Sequence, residues 1–347
     1  MIENSLSPIL AISVAALISS TLLVPALRKT AFKYSVLDKP NQSHKTHSEP
    51  IPYLGGFAIV IPTSVLALSA LLFLDIDTSY KYRLIIILIP ALLLSLLGLY
   101  DDVTNMSAKS RFLLQTLLSC IVAFLLIHLE LAVKLFNNPV ANYFVTILWL
   151  VGITNALNFF DNLDGGAAGV TFISSSTLSI LSYTSDQFLI CAFASTLAGA
   201  SLGFLYWNRN PARIYLGDAG ALFIGYLLSV SLVQFEPEVD LSFASALVPI
   251  FILALPIIDT TVAVTSRWLR GVSIFQGGKD HLSHRLIHLG YPRKVAAILL
   301  WGLSSLYSTL TIVLSFSSIF HQALLAFLGI LSMGVLVVLF LRVRLVQ

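Results

Sequence analysis

The chain alternates long apolar stretches with short polar connections from one end to the other. A membrane-crossing helix needs roughly 20 predominantly apolar residues. Eleven stretches meet or approach that length, near 6–27, 53–74, 83–100, 112–131, 141–157, 166–184, 187–206, 219–235, 242–266, 294–317 and 321–341. Those near 141–157 and 219–235 are short. The pattern predicts an all-α integral membrane protein in which residues 1–347 form a single polytopic domain. No polar stretch is long enough for a separate soluble unit, and neither an internal repeat nor a low-complexity tract is evident.

Composition agrees. Charged residues make up 11% of the 347, against about 25% in ordinary globular domains, and mean hydropathy is +0.90. Where the charges fall is more informative, because Lys and Arg concentrate in cytoplasmic loops. With the N-terminus outside, the cytoplasmic connections hold 17 of the 20 Lys and Arg, leaving only Lys81, Arg83 and Lys134 outside. The C-terminus is then cytoplasmic, and the multi-pass protein is expected in the cell inner (plasma) membrane. The first apolar run has Glu3 as its only early charge and Arg28-Lys29 behind it, which suits an uncleaved anchor. The formal charge of +3 reflects this loop chemistry and does not suggest nucleic-acid binding. Cys120 and Cys191 lie in apolar spans and imply neither disulfides nor a metal cluster.

Carboxylates end several of these runs. Asp101-Asp102, Asp161 with Asp164, and Asp218 each stand where an apolar segment meets a loop that the topology assigns to the cytoplasm. Ionisable groups at membrane depth are costly and usually mark a site. Adjacent carboxylates such as Asp101-Asp102 repel unless a cation lies between them or one is protonated. Arg111 opens the next helix and can reach back to a phosphate. Asn155, Asn158 and Asp161 recur every three residues, so they remain neighbours on one helix face. Such a face must meet protein, water or ligand rather than lipid. Interhelical hydrogen bonding would explain the asparagines, but it explains less well two carboxylates with no local Lys or Arg. Asp218 lies between Gly217 and Gly220 near a predicted helix N-terminus, where free N–H groups and the dipole favour anions; a simple capping aspartate is the plainer reading. Two basic loops complete the set. One holds His44-Lys45-Thr46-His47 and the other Gly277-Gly278-Lys279-Asp280-His281-Leu282-Ser283-His284-Arg285; each could serve only to fix topology. Asp259, within a span, is a candidate for supporting the site from behind. Hard cations such as Mg²⁺ take one or two carboxylates plus substrate phosphates, so converging acidic loops suit a divalent metal and a phosphorylated substrate.

Taken together, residues from about His44 to Arg285 resemble the polyprenyl-phosphate N-acetylhexosamine-1-phosphate transferases (glycosyltransferase family 4), with five motifs in the same order at similar separations. The resemblance implies that Asp101, Asp102, Asp161 and His281 are catalytic. Substrate-binding roles would fall to Lys45, His47, Arg111, Asn155, Asp164, Tyr215, His284 and Arg285. Among these, Arg111, His284 and Arg285 would meet the diphosphate, with Asp164 near uracil and Tyr215 stacked on it. Asn158 and Asp218 would hold Mg²⁺, with Mn²⁺ as the other candidate. Ser283 stands where many members carry histidine, and Ala221 where serine is frequent, which bears on the sugar contacts more than on the reaction. His284-Arg285 and the eleventh span resemble the N-acetylglucosamine branch more than the muramoyl-pentapeptide branch.

The reaction so implied moves N-acetylhexosamine-1-phosphate, most simply GlcNAc-1-phosphate, from a UDP-sugar to undecaprenyl (polyprenyl) phosphate in the membrane. UMP is released and cell-envelope glycan synthesis begins; a homodimer is left open. The alternatives are a UDP-MurNAc-pentapeptide transferase of the same family and an ion-coupled secondary transporter. A transporter would place charge near the bilayer midplane within repeated halves. A CDP-alcohol phosphotransferase would need an Asp-Gly-x-x-Ala-Arg pattern that is absent after Asp164-Gly165.

Overall fold

The computed structural model describes residues 6–38, 50–73 and 77–343. Thirteen helices occupy almost all of this: α1 (Leu6–Tyr34), α2 (Phe57–Phe73), α3 (Thr78–Thr104), α4 (Ala108–His128), α5 (Pro139–Phe160), α6 (Gly166–Thr184), α7 (Phe188–Asn208), α8 (Gly217–Gln234), α9 (Ser242–Ile252), α10 (Ala254–Leu269), α11 (Leu282–His288), α12 (Arg293–Ser315) and α13 (Ile319–Arg342). Two-residue strands, β1 (Leu37–Asp38) and β2 (Ile51–Pro52), pair antiparallel beside a 3-10 turn at Leu54–Gly56. The protein is an all-α integral membrane protein.

Nine helices among the described residues are long and apolar enough to cross a membrane, or ten if α9 and α10 count as one span. The expected span over 242–266 is broken: α9 and α10 meet at a 75° bend. Pro249 removes one helical N–H near that break, and Pro256 follows it. The expected span over 166–184 forms a helix, α6, but one too rich in Ser and Thr to count as apolar. It lies between α7 and α12. Several of its hydroxyls bond to its own carbonyls, as Thr177 does to Ile173 O at 2.9 Å, or to a neighbour, as Ser174 does to Ile252 O at 2.8 Å. Polar groups satisfied in this way are tolerated within a membrane bundle.

α8 is the hub: 89% of its residues are buried, and α3 and α5 pack along it. Small residues let the backbones close in. A Cβ at Gly56 would sit 2.3 Å from the Gly220 Cα, and one at Gly98 would sit 2.3 Å from the Asp218 carbonyl oxygen. Tyr226 of α8 donates to Ile86 O of α3 at 2.9 Å, and Trp149 of α5 donates to Ser229 O of α8 at 3.0 Å. The N-terminus of α8 is thereby fixed between the C-terminal ends of α3 and α5. Those are the three places where the acidic motifs lie.

Candidate active site

A cleft of about 510 Å³ opens where these helix ends meet. Its walls carry six carboxylates (Asp38, Asp101, Asp102, Asp161, Asp164 and Asp218) against two arginines, Arg111 and Arg293. Asn158, Tyr53, Tyr215 and His284 add to the polar lining, with Asn105, Asn162 and Asn208. The separated acidic loops therefore share one cleft.

The two adjacent aspartates do different work. Asp102 accepts from the main-chain N–H of Asp218 at 3.0 Å and of Ala219 at 3.2 Å, so a carboxylate on α3 caps α8. Such a cap satisfies N–H groups that a helix N-terminus leaves unpaired. Two expectations are corrected here. Asp218 does not cap its own helix, and the N–H groups of Asp218 and Ala219 are not free for a phosphate. Gly217 makes the arrangement feasible, since its φ of +72° suits glycine and a Cβ there would meet Asp102 Oδ2 at 2.8 Å. Asp101 instead pairs with Arg111, whose Nη1 also reaches Asp218 Oδ2. On the other side of Asp218, Asn158 Nδ2 donates to Oδ1 at 2.6 Å. Asp218 is thus held by a cation, an amide and the helix start.

Asp161 follows the end of α5 and pairs with no cation among the described residues. Burial, followed by the charges of Asp218, Asp102 and Asp164, pushes its carboxyl up to about 8. Asp164 is fixed by Asn210 Nδ2 at 2.8 Å and by the Ala212 N–H at 3.1 Å. Tyr215 stands beside Tyr53, ring centroids 6.0 Å apart, and burial raises both phenols above their usual range.

Three expectations change. Asn155 is not in the cleft; it donates to Gln115 Oε1 of α4 at 2.7 Å and to Val151 O at 2.8 Å, so the interhelical role prevails one turn deeper. Arg285 is 2% exposed and spends its guanidinium on the carbonyls of Asp280, Phe340 and Val343 at 2.7–2.9 Å, tying α11 to the end of α13. It has no reach to a diphosphate. His281 lies behind the cleft wall, its Nδ1 2.7 Å from Asp259 Oδ2 and its Nε2 3.4 Å from an Arg267 nitrogen. Lys45 and His47 lie outside the described residues.

His284 does line the cleft, and burial with the neighbouring His281 lowers it to about 4. In the unliganded cleft it is a neutral imidazole at neutral pH rather than a cation. Asp259, fully buried, orients His281 and caps α11 through the Leu282 N–H at 2.7 Å. Asp38, Tyr53 and Arg293 were not singled out by sequence reasoning. Arg293 was counted only as a loop cation, and a local motif for these three does not exist.

The donor set suits one divalent cation. Among the described residues, no three His, Cys, Asp or Glu form a complete metal cage. Mg²⁺ seldom needs one, since it keeps water and takes substrate phosphates. Six carboxylates face two arginines, and the crowding helps push one carboxyl up to about 8, so that it keeps its proton at neutral pH; a cation in the cleft would relieve that crowding. Asp218 with Asn158, after a half-turn of its amide, would offer two oxygen ligands to such a cation.

An acid-rich, arginine-bridged cleft at one end of a membrane bundle belongs to an enzyme that handles phosphates beside lipid. The profile of glycosyl transferase family 4 matches residues 84–236, the stretch running from α3 through α8. A probable undecaprenyl-phosphate N-acetylglucosaminyl 1-phosphate transferase of Bacillus subtilis is 31% identical over 346 residues, covering 97% of this chain and 93% of that protein. Phospho-N-acetylmuramoyl-pentapeptide-transferases are similar over less of the chain. That of Staphylococcus carnosus is 27% identical, covering 76% of this chain and 85% of its own length. One from Listeria monocytogenes is 31% identical, covering 61% and 69%. The chain belongs to glycosyl transferase family 4.

Proposed function

We propose that this enzyme transfers N-acetylglucosamine-1-phosphate from its UDP-sugar to undecaprenyl (polyprenyl) phosphate, releasing UMP, from a cytoplasm-facing cleft in the plasma membrane. The observation that carries the reading is the junction of Asp218, Asn158, Arg111 and Asp101 at the mouth of a membrane bundle. The full-length similarity to the Bacillus subtilis protein supports it.

In the transfer, an oxygen of the lipid phosphate attacks the β-phosphorus of the UDP-sugar. The bond from that phosphorus to the oxygen bridging toward the α-phosphorus breaks, and UMP leaves with that oxygen. A phosphate monoester is already anionic at neutral pH, so the attack needs alignment and charge neutralisation more than a general base. Arg111 meets the phosphates beside Asp218, and its bond to Asp101 fixes its direction. Asp102 holds the α8 terminus, and with it Asp218, in register. Tyr215 offers a ring face to uracil, and Asp164, braced by Asn210 and Ala212, borders the same region. His284 donates a neutral N–H to the diphosphate. Mg²⁺ or Mn²⁺, held by Asp218 and Asn158, would neutralise the diphosphate and polarise its phosphoryl oxygens.

The test is UMP release by the purified chain in detergent, where no gradient exists, with undecaprenyl phosphate and a panel of UDP-sugars. UDP-N-acetylglucosamine is expected to react, and Asp218→Asn to abolish release while the protein stays folded. Full turnover by that variant removes Asp218 from the site. Silence with every nucleotide sugar removes the transferase reading, and preference for the muramoyl-pentapeptide donor reassigns the substrate.

A further inference from the structure

A second cavity, of about 480 Å³, borders the cleft across the Asp164 turn. Its walls carry Arg209, Arg213 and Lys294 together with Tyr206, Trp207 and Trp301. None of the three cations forms an ion pair with a carboxylate among the described residues. Asp164 is the acidic group on the wall, and its Oδ2 is already held by Asn210 and Ala212. The cavity therefore carries a net positive charge.

Topology alone would put basic residues at this end of the protein. It does not explain their seating. The Arg209 guanidinium lies 5.1 Å from the Tyr206 ring centre, and that of Arg213 lies 5.5 Å from the ring of Trp207. Cation–π contact holds both planes without consuming their hydrogen-bond donors. Trp301 is fixed in turn by its Nε1, which donates to Gly165 O at 3.1 Å. Oriented guanidinium donors around a concavity favour the tetrahedral oxygens of phosphate. Tryptophan and tyrosine beside them are the side chains that settle at the level of lipid headgroups.

We propose that this cavity is a second phosphate-binding site, separate from the transfer cleft, for a phosphate ester such as the headgroup of an anionic phospholipid. Binding here is independent of whether the neighbouring cleft transfers a sugar phosphate, so the site can be tested without any turnover.

Native mass spectrometry of the full chain in detergent, titrated with phosphatidylglycerol or phosphatidylcholine, reads the site directly. Wild type is expected to retain phosphatidylglycerol preferentially, and each of Arg209→Gln, Arg213→Gln and Lys294→Gln to weaken retention about fivefold. Arg213→Lys, which keeps the charge, should lose less than Arg213→Gln. Lys29→Gln, an exposed cation elsewhere, should change retention less than twofold. Adding inorganic phosphate distinguishes the source: displacement of the lipid at millimolar phosphate assigns the site to phosphate of either origin, and no displacement assigns it to the lipid headgroup. Equal losses from Lys29→Gln and Arg213→Gln, or no preference for phosphatidylglycerol, would overturn the proposal. So would a raised KM for the UDP-sugar in the Arg209→Gln/Arg213→Gln/Lys294→Gln variant without phospholipid, since the cavity would then be part of the nucleotide cleft.

Discussion

Replacing Asp102 with alanine separates holding the site from performing its chemistry. Asp102 is on α3, yet its two oxygens accept the first N–H groups of α8 at 3.0 and 3.2 Å. Loss of a helix cap costs about 1–2 kcal/mol, and loss of a negative charge at the terminus about 0.3–1 kcal/mol more. Relief of repulsion with nearby Asp101 and Asp218 gives some of this back, so Asp102→Ala should lose about 2 kcal/mol. For a chain of this size that lowers the melting temperature by roughly 3 °C. Asp102→Asn keeps one acceptor oxygen and should lose about half as much. Melting is followed in detergent by a thiol-reactive or intrinsic fluorescence scan, and UMP release is measured on the same samples. If Asp102 acts by position, Asp102→Asn keeps turnover within roughly tenfold of wild type, while Asp102→Ala falls further as the α8 terminus frays and Asp218 drifts. An Asp102→Asn protein that melts like wild type but makes no UMP would refute this, because its charge would then be needed at the reacting phosphates.

Three further outcomes follow from the same geometry. Arg285→Gln should lower the melting temperature and leave the KM for the UDP-sugar unchanged in the folded fraction, because that guanidinium binds the α13 carbonyls; a several-fold rise in KM without destabilisation would return it to the substrate. His284, lowered to about 4 from an ordinary 6.5, is neutral in the fold and gains its proton more readily when unfolded. Its contribution is intact above pH 6.5 and shrinks as pH falls towards 4, reaching a loss of about 2 kcal/mol by pH 5; His284→Gln should flatten that part of a melting-temperature profile between pH 7 and 5, and an unchanged slope would rule it out. Chelation by EDTA should abolish UMP release and excess Mg²⁺ restore it, with Mg²⁺ also raising the wild-type melting temperature but not that of Asp218→Asn; turnover undiminished in EDTA would exclude the metal.

Which residues could be read from sequence follows from how far apart their partners lie along the chain. The apolar runs predicted helices because burial in lipid and in neighbouring helices demands the same composition, and only the Ser-rich α6 and the bent α9–α10 pair resisted a simple count. Asp101, Arg111, Asn158 and Asp218 were legible because charge and amide groups at the ends of such runs have no bland use that satisfies them. The misassigned residues share a different property. Arg285 and Asn155 are also polar groups beside apolar segments, but each finds a partner in the bundle: main-chain carbonyls at the end of α13 for one, Gln115 of α4 for the other. Distance in sequence hides such partners, so a buried fastening and a ligand contact read alike. Asp38 and Tyr53 enter the cleft only because β1 and β2 pair and deliver them.

That distinction also governs how the site holds together. Besides Arg111 and Asn158, packing that does not depend on charge keeps Asp218 among like charges: Gly98 against its carbonyl, Gly56 against Gly220, and α8 enclosed on most sides. Substituting those glycines would move the backbone, whereas substituting a carboxylate would chiefly relieve repulsion. The cleft carboxylates are therefore expected to be individually cheap to remove in stability and costly to remove in function, with Asp102 the exception because among them it closes a helix terminus. An engineered carboxylate-to-amide series that melted progressively higher as UMP release fell would show the cleft to be strained by its own charge, with the bundle supplying the restraint.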